Sequence, residues 1–89
     1  MPPGEILVEH HLEPDNISIS AFARKLGISR KHLSDIIHER ARVTPATAVI
    51  LARALNTTPN LWLNLQAAVD IWDAEREFAS RSRAKRKAA

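Results

Sequence analysis

No cysteine, no tyrosine and only two glycines occur among the 89 residues of the chain. The lack of cysteine excludes disulfides, thiol catalysis and cysteine-ligated zinc sites, and it suits a reducing compartment. No signal peptide is recognisable, and no apolar run approaches the ~20 residues that a membrane helix needs. We therefore expect a cytoplasmic chain without a membrane partner.

The low glycine count and the lack of alternating apolar residues favour an all-α fold with one modest core. Residues that cap or break helices divide the chain into five helical segments. Ser18 and Ser29 precede two of these segments, and the pairs Thr44-Pro45 and Thr58-Pro59 open two more. The predicted helices cover about residues 3–11, 19–26, 30–39, 45–55 and 59–78.

Residues 19–38 have the spacing of a helix-turn-helix, in which two helices cross at roughly 90–120°. Ala23 supplies the small side chain needed where the helices approach, and Gly27 supplies a residue that tolerates the left-handed turn. Leu33 and Ile36 continue the apolar seam into the second helix. The pattern is typical of a DNA-reading unit, although any pair of helices in a small bundle uses similar residues.

Positive charge is concentrated around this motif. Residues 20–42 contain six cations and two acids, whereas residues 1–79 as a whole carry a net charge of −2. The acids lie mainly before the motif, from Glu5 to Asp15, and after it, from Asp70 to Glu77. This segregation fits a chain that turns one face toward phosphate, for which binding depends steeply on salt.

The predicted fifth helix is apolar on more than one face. We expect a core and a dimer contact from its bulky residues Leu61, Trp62, Leu65, Val69 and Trp72. A domain of this size cannot surround one helix on all sides, so a second copy of the chain is the simplest partner. A two-fold homodimer would set two recognition helices about 34 Å apart and favour a palindromic DNA site.

Four segments form a pattern that extends beyond the helix-turn-helix. They are Pro3–Leu7, Ala23–Ser29, Ala48–Leu55 and Pro59–Ala68, together with the turn Glu13-Pro14 and with Asp70 and Trp72 following; Trp62–Gln66 is the most specific part. Together they resemble the HigA-type antitoxins over about residues 3–76. The resemblance implies a five-helix, phage-repressor-like domain that dimerises, represses its own operon and neutralises a HigB-type, RelE-like mRNA endonuclease. It also implies association with the nucleoid when the protein is bound to DNA.

Base contacts are expected from the start and the exposed face of the third helix. The candidates are Arg30, Lys31, Ser34, Asp35 and His38. Asp35 has an alternative role, because it can pair with Lys31 one turn earlier or with Arg42 nearby.

Phosphate contacts are expected from polar residues at helix starts and in the loop after the third helix. The candidates are Ser18, Ser20, Ser29, Arg40, Arg42 and Thr44. Members of the HigA-type family often have Gln at the position of Ile19, whose side chain cannot bond phosphate. Ser18, Ser20 and the free amides of the second helix should therefore make the contacts there.

Neither catalysis nor metal or cofactor binding is expected. His32 and His38 are six positions apart and so lack the spacing of a metal pair on one helix face. Ser34, Asp35 and His38 lie on different faces of a helix without an oxyanion turn, which argues against a triad. Two other functions remain open: a transcriptional regulator without a toxin partner, and an interaction module whose helix-turn-helix is only a scaffold.

The last ten residues contain five cations and no acid. We expect residues 1–79 to form the DNA-binding and dimerisation domain and residues 80–89 to form a disordered basic tail. Such a tail would add contacts to phosphate that do not depend on the DNA sequence.

Overall fold

A computed structural model describes the backbone of residues 1–88 and the side chains of residues 1–83. Five α-helices and no strand occur in this part of the chain, as predicted. Helix α1 continues directly into one π-helical turn, Val8–Leu12. The helices are α1 Pro3–Leu7, α2 Ile19–Leu26, α3 Arg30–Ile37, α4 Pro45–Leu55 and α5 Pro59–Ala88.

Short-range hydrogen bonds explain where four of the helices begin. In each case a hydroxyl oxygen accepts a hydrogen bond from the backbone N–H three residues later, which satisfies a group that the helix itself cannot pair. The distances are 3.1 Å for Ser18, 3.0 Å for Ser29, 3.3 Å for Thr44 and 3.2 Å for Thr58. The predicted starts of α2 to α5 are therefore confirmed by their cap geometry.

All five helices contribute to one core. Trp62 is completely buried, and its indole N–H donates to Thr57 Oγ1 at 2.7 Å, so the only polar atom of this side chain is satisfied. The first turns of α5 pack on α4, while its later turns project from the domain. The buried apolar residues are Leu7, Leu12, Phe22, Ala23, Leu26, Leu33, Ile36, Val43, Ala48, Leu51, Ala52 and Trp62.

Helix α1 fixes the carboxyl end of α3 through a close contact at Gly4. A Cβ atom at this position would clash with the carbonyl oxygen of Ile37 and lie 2.8 Å from that of Ile36. The absence of a side chain therefore permits the two backbones to approach.

Two helix ends differ from prediction. Helix α3 ends at Ile37 rather than near Glu39, because the chain turns there and Glu39 adopts φ 61°, outside the helical range. Helix α5 continues to Ala88, ten residues past the predicted end at Phe78, so the described backbone is helical in the segment where a disordered tail was expected. Ala, Arg, Lys and Glu favour helix, and Arg81 pairs with Glu77 one turn earlier at 2.5 Å. Ala89 lies outside the described residues.

Trp72 was expected to contribute to the core or to a dimer contact, and it is not part of the core. The residue lies past the section of α5 that packs on the domain, and 57% of it is exposed. The guanidinium carbon of Arg76 lies 4.5 Å from the centre of its ring, a cation–π contact.

Among the described helices, including the long α5, none combines the length and apolarity that crossing a membrane requires.

Candidate nucleic-acid interface

Helices α2 and α3 form the predicted helix-turn-helix. Gly27 ends α2 with φ 75°, and Ala23 is buried at the approach of the two helices. Ser18 and Ser20 lie exposed at the start of α2, and Ser29 lies exposed at the start of α3. The unpaired amides and the dipole at such helix starts favour anions, so this end of the unit suits phosphate.

One face of α3 is buried and the opposite face is open. Leu33 and Ile36 point into the core, whereas Arg30, Lys31 and His38 are exposed. Ser34 is half-buried and lies one turn from both Lys31 and His38, so Ser34 and His38 lie on the same side, contrary to the expectation that they are on different faces. A row of donors and acceptors therefore faces outward along the helix, as a base-reading surface requires.

Asp35 is the centre of an ion-pair cluster on this surface. Its Oδ2 accepts from Lys31 Nζ at 2.9 Å and its Oδ1 accepts from Arg40 Nε at 3.0 Å. These two hydrogen bonds lower the pKa of the Asp35 carboxyl. The sequence predicted either a base contact or an ion pair for Asp35. The ion pair with Lys31 is present, and Arg40 rather than Arg42 is the second partner. Each oxygen already has a cationic donor, which disfavours a contact with cytosine.

Arg42 is bound to α5, a contact that was not predicted from the sequence. Its two terminal nitrogens donate to Asp70 Oδ1 and Oδ2 at 2.5 and 2.6 Å. Gln66 joins this pair: its Nε2 donates to Asp70 Oδ1 at 3.1 Å, and its Oε1 accepts from Val43 N at 2.9 Å. We call Arg42, Val43, Gln66 and Asp70 the loop clasp, because they connect the loop after α3 with α5. The spacing of Gln66 and Asp70 on one helix face was the only sequence signal for it.

The loop clasp also changes the ionisation of its members. The hydrogen bonds from Arg42 lower the pKa of Asp70, and the same contact raises the pKa of Arg42. Arg42 nevertheless remains two-thirds exposed, so the guanidinium is both anchored and open to solvent. Arg42 is therefore a candidate phosphate contact held in place by α5 rather than a free cation.

The other two expected phosphate contacts follow α3 in the chain. Arg40 is exposed in the loop after α3, and Thr44 caps the start of α4. The hydroxyl of Thr44 donates to Thr47 Oγ1 at 3.2 Å as well as accepting from Thr47 N. Arg40 and Thr44 thus lie in the loop after α3 and at the start of α4, where polar groups are available to contact a DNA backbone.

The expected dimer residues of α5 fall into three groups. Trp62 is fully buried in its own chain and is not available as a surface contact, which corrects that part of the expectation. Leu65 and Val69 are half-buried, while Leu61 and Trp72 are exposed. Two further exposed residues, Ile71 and Phe78, extend the apolar surface along α5.

This combination of fold and surface defines a helix-turn-helix domain of the phage-repressor-like class. A family model described as helix-turn-helix matches residues 12–62, so the chain belongs to that family. Within the family, it is similar to proteins named as HigA-type antitoxins and to proteins named only as transcriptional regulators.

Three relatives illustrate both groups. An uncharacterised helix-turn-helix transcriptional regulator of Haemophilus influenzae is 46% identical over 81% of this chain and 67% of its own length. Antitoxin HigA-1 of Vibrio cholerae is 40% identical over 84% of this chain and 70% of its own length. The solved structure of Pseudomonas aeruginosa antitoxin HigA with the higBA promoter has a TM-score of 0.84 at 31% identity, and covers 91% of this chain and 88% of that one. The chain spans about two thirds of the length of the regulators that it matches.

Proposed function

We propose that the chain is a HigA-type antitoxin that binds a palindromic operator as a homodimer and neutralises a HigB-type mRNA endonuclease. The observation that carries the DNA part is the outward face of α3. There, Lys31, Ser34 and His38 lie away from the buried Leu33 and Ile36, and Arg30 is exposed at the first residue of the helix. Arg40 of the next loop contacts Asp35 of α3, and the starts of α2 and α3 carry exposed hydroxyls, so these elements offer phosphate-binding groups beside the base-reading groups.

The resemblance to DNA-bound relatives supports the same assignment. The Pseudomonas aeruginosa antitoxin, whose structure was solved with its promoter, shares the fold over nearly the whole chain. We infer that α3 of this chain enters the major groove and that the amides and hydroxyls of Ser18 and Ser20 contact the DNA backbone.

The homodimer is proposed from the exposed apolar surface of α5. Ile71, Trp72 and Phe78 are 58%, 57% and 72% exposed, which is unusual for three large apolar residues on one helix. Ile71 and Phe78 are seven positions apart and share a helix face, as in a helix pair. A second copy of α5 covering this face would give the two-fold symmetry that a palindromic operator requires.

Oligomeric state tests this part directly. Ile71→Asp should convert a dimer into a monomer, because a charge would replace an apolar contact at the centre of the interface. Ser80→Asp, an equally acidic change elsewhere on the exposed part of α5, is the matched control. Light-scattering mass across a concentration series measures both variants, and an unchanged mass for Ile71→Asp would contradict this interface.

The DNA assignment is tested by selecting sites from random duplexes and then measuring binding against salt. Arg30→Ala should relax the preference at particular base pairs, with a loss of about 5- to 150-fold at the preferred site, the range of a bidentate guanine contact. A uniform loss across all sequences would make Arg30 a phosphate contact instead. Wild-type binding without any sequence preference would contradict operator recognition.

The toxin assignment rests on the HigA resemblance and is tested separately. Coexpression with the product of the adjacent gene should yield a stable complex and relieve its cleavage of mRNA in a translation assay. Operator binding with no effect on such a product would favour a second candidate function, a transcriptional regulator without a toxin. The Haemophilus influenzae relative, which is named as a regulator, is the observation that favours this alternative.

A further inference from the structure

The ring of His38 is held in one tautomeric form by the helix that precedes it. Its Nδ1 lies 2.8 Å from the backbone carbonyl oxygen of Ser34 and 3.3 Å from Ser34 Oγ. A carbonyl oxygen only accepts hydrogen bonds, so the proton of this contact belongs to Nδ1. The same carbonyl also accepts the helical N–H of His38 at 3.0 Å.

This proton position determines what the other ring nitrogen offers. A neutral imidazole has one N–H and one lone pair, so a proton on Nδ1 leaves Nε2 as an acceptor. His38 is exposed, directly follows the last residue of α3 and lies seven positions after Lys31, in line with the outward face of that helix. The Ser34 hydroxyl cannot donate to a protonated Nδ1, so its hydrogen remains free to act as a donor toward another group.

We infer that His38 is a specificity-determining residue that accepts a hydrogen bond through Nε2 from the exocyclic amine of a base. This inference rests on the proposed operator binding. In the major groove, the amines are those of adenine N6 and cytosine N4, whereas guanine and thymine present acceptors at the corresponding edges. A ring with its lone pair outward therefore accepts adenine or cytosine at this position and rejects guanine and thymine.

The chemistry of this position differs from that of its neighbours. Arg30 and Lys31 only donate, so they suit the acceptors of guanine and the phosphate oxygens. Asp35 accepts, but two cations already occupy its oxygens. Of the expected base contacts with an acceptor, His38 and Ser34 have no cationic donor in the described hydrogen bonds, and the Ser34 hydroxyl lies against the His38 ring.

The first test is spectroscopic and needs no DNA. Nitrogen-15 NMR of the uniformly labelled full chain, at about pH 8 where an ordinary histidine is neutral, distinguishes the two tautomers by their ring couplings. We expect His38 to be protonated on Nδ1. His38→Ala assigns the signals, and His10, an exposed histidine on another helix, is the internal comparison. A proton on Nε2 of His38 would overturn the inference.

The second test removes the amine from the DNA. In the selected site, adenine is replaced by purine or cytosine by 2-pyrimidinone at each position in turn, and binding of wild type and His38→Ala is measured. One replacement should weaken wild-type binding by about 3- to 10-fold and leave His38→Ala unaffected. His10→Ala should behave as wild type.

The possible results separate this inference from the proposed function. Equal losses in wild type and His38→Ala at every position would overturn base reading by His38 while leaving selective DNA binding in place. If neither protein prefers any sequence, operator recognition fails and the role of His38 fails with it. A general loss on His38→Ala, independent of base identity, would identify a structural or phosphate contact and would also overturn the inference.

Discussion

Replacing Gly4 with alanine should destabilise the protein, although the same change usually stabilises a helix. Gly4 lies in α1, where its backbone meets the carbonyl oxygens of Ile36 and Ile37 at the end of α3. The added Cβ would lie 2.8 Å from the oxygen of Ile36 and closer still to that of Ile37, well inside van der Waals contact. Both neighbours are backbone atoms, so no side-chain rotation relieves the clash.

The expected magnitude comes from two opposing effects. Alanine in place of glycine in a helix contributes roughly 0.5–1 kcal/mol of stabilisation. Overpacking that forces a backbone shift costs typically about 1–3 kcal/mol. Because both groups that the new Cβ meets are backbone carbonyls, we expect the steric destabilisation to exceed the gain in helix propensity by about 1–2 kcal/mol. This net loss lowers Tm by roughly 4–16 °C in a domain of this size.

Thermal and urea unfolding followed by circular dichroism measure this change. Asn64→Ala is the control, since Asn64 is exposed within α5 and the substitution tests helix propensity alone, with an expected gain of a few tenths of a kcal/mol. A Gly4→Ala variant whose Tm equals or exceeds that of wild type would refute the close approach of α1 and α3. A DNA affinity that falls along with stability would show that the end of α3 has moved.

Three further predictions concern the core, the loop clasp and the end of α5. Thr57→Val should cost about 1–3 kcal/mol in urea unfolding because it leaves the buried indole N–H of Trp62 unpaired. Thr57→Ser, which keeps the hydroxyl, is the control, and a Thr57→Val cost no larger than that of Thr57→Ser would contradict this. The lowered pKa of Asp70 contributes stability above about pH 4, and this stability is lost as the pH falls through the folded-state pKa. Asp70→Asn should therefore lose less stability than wild type on acidification. Parallel acid-unfolding profiles of the two proteins would refute the pairing with Arg42. Truncation after Ala79 removes five cations and should weaken binding to all DNA and reduce the salt dependence without changing site preference, whereas equal salt slopes would contradict it.

The features that were predicted correctly from the sequence are those that depend on contacts between residues only a few positions apart. Ser18, Ser29 and Thr44 cap helices through contacts three positions away, and Gly27 adopts its left-handed turn for a local steric reason. The apolar periodicity of α3 also determines which residues face outward, so the candidate base contacts follow from the order of residues alone.

The features that were missed depend on longer-range packing or on weak local signals. Arg42 and Asp70 are separated by 28 positions, and only the packing of α4 and α5 brings them together. Glu39 adopts a positive φ without being glycine, so composition does not mark the end of α3. Past Phe78, charge density suggested disorder, whereas the helix propensity of the same residues supports a continuous helix.

Helix α5 links the proposed DNA-binding surface on α3 to the proposed dimer surface. Its early turns lie in the domain, where Trp62 is buried and Gln66 and Asp70 bind the loop that follows the recognition helix. Its later turns carry Ile71 and Phe78, which are proposed to meet a second copy. Because one continuous helix carries both sets of residues, the geometry of the proposed dimer would set the separation of the two α3 helices through the loop clasp. A change at the dimer contact should therefore alter the preferred half-site spacing, whereas a change in the outward face of α3 should alter base preference alone.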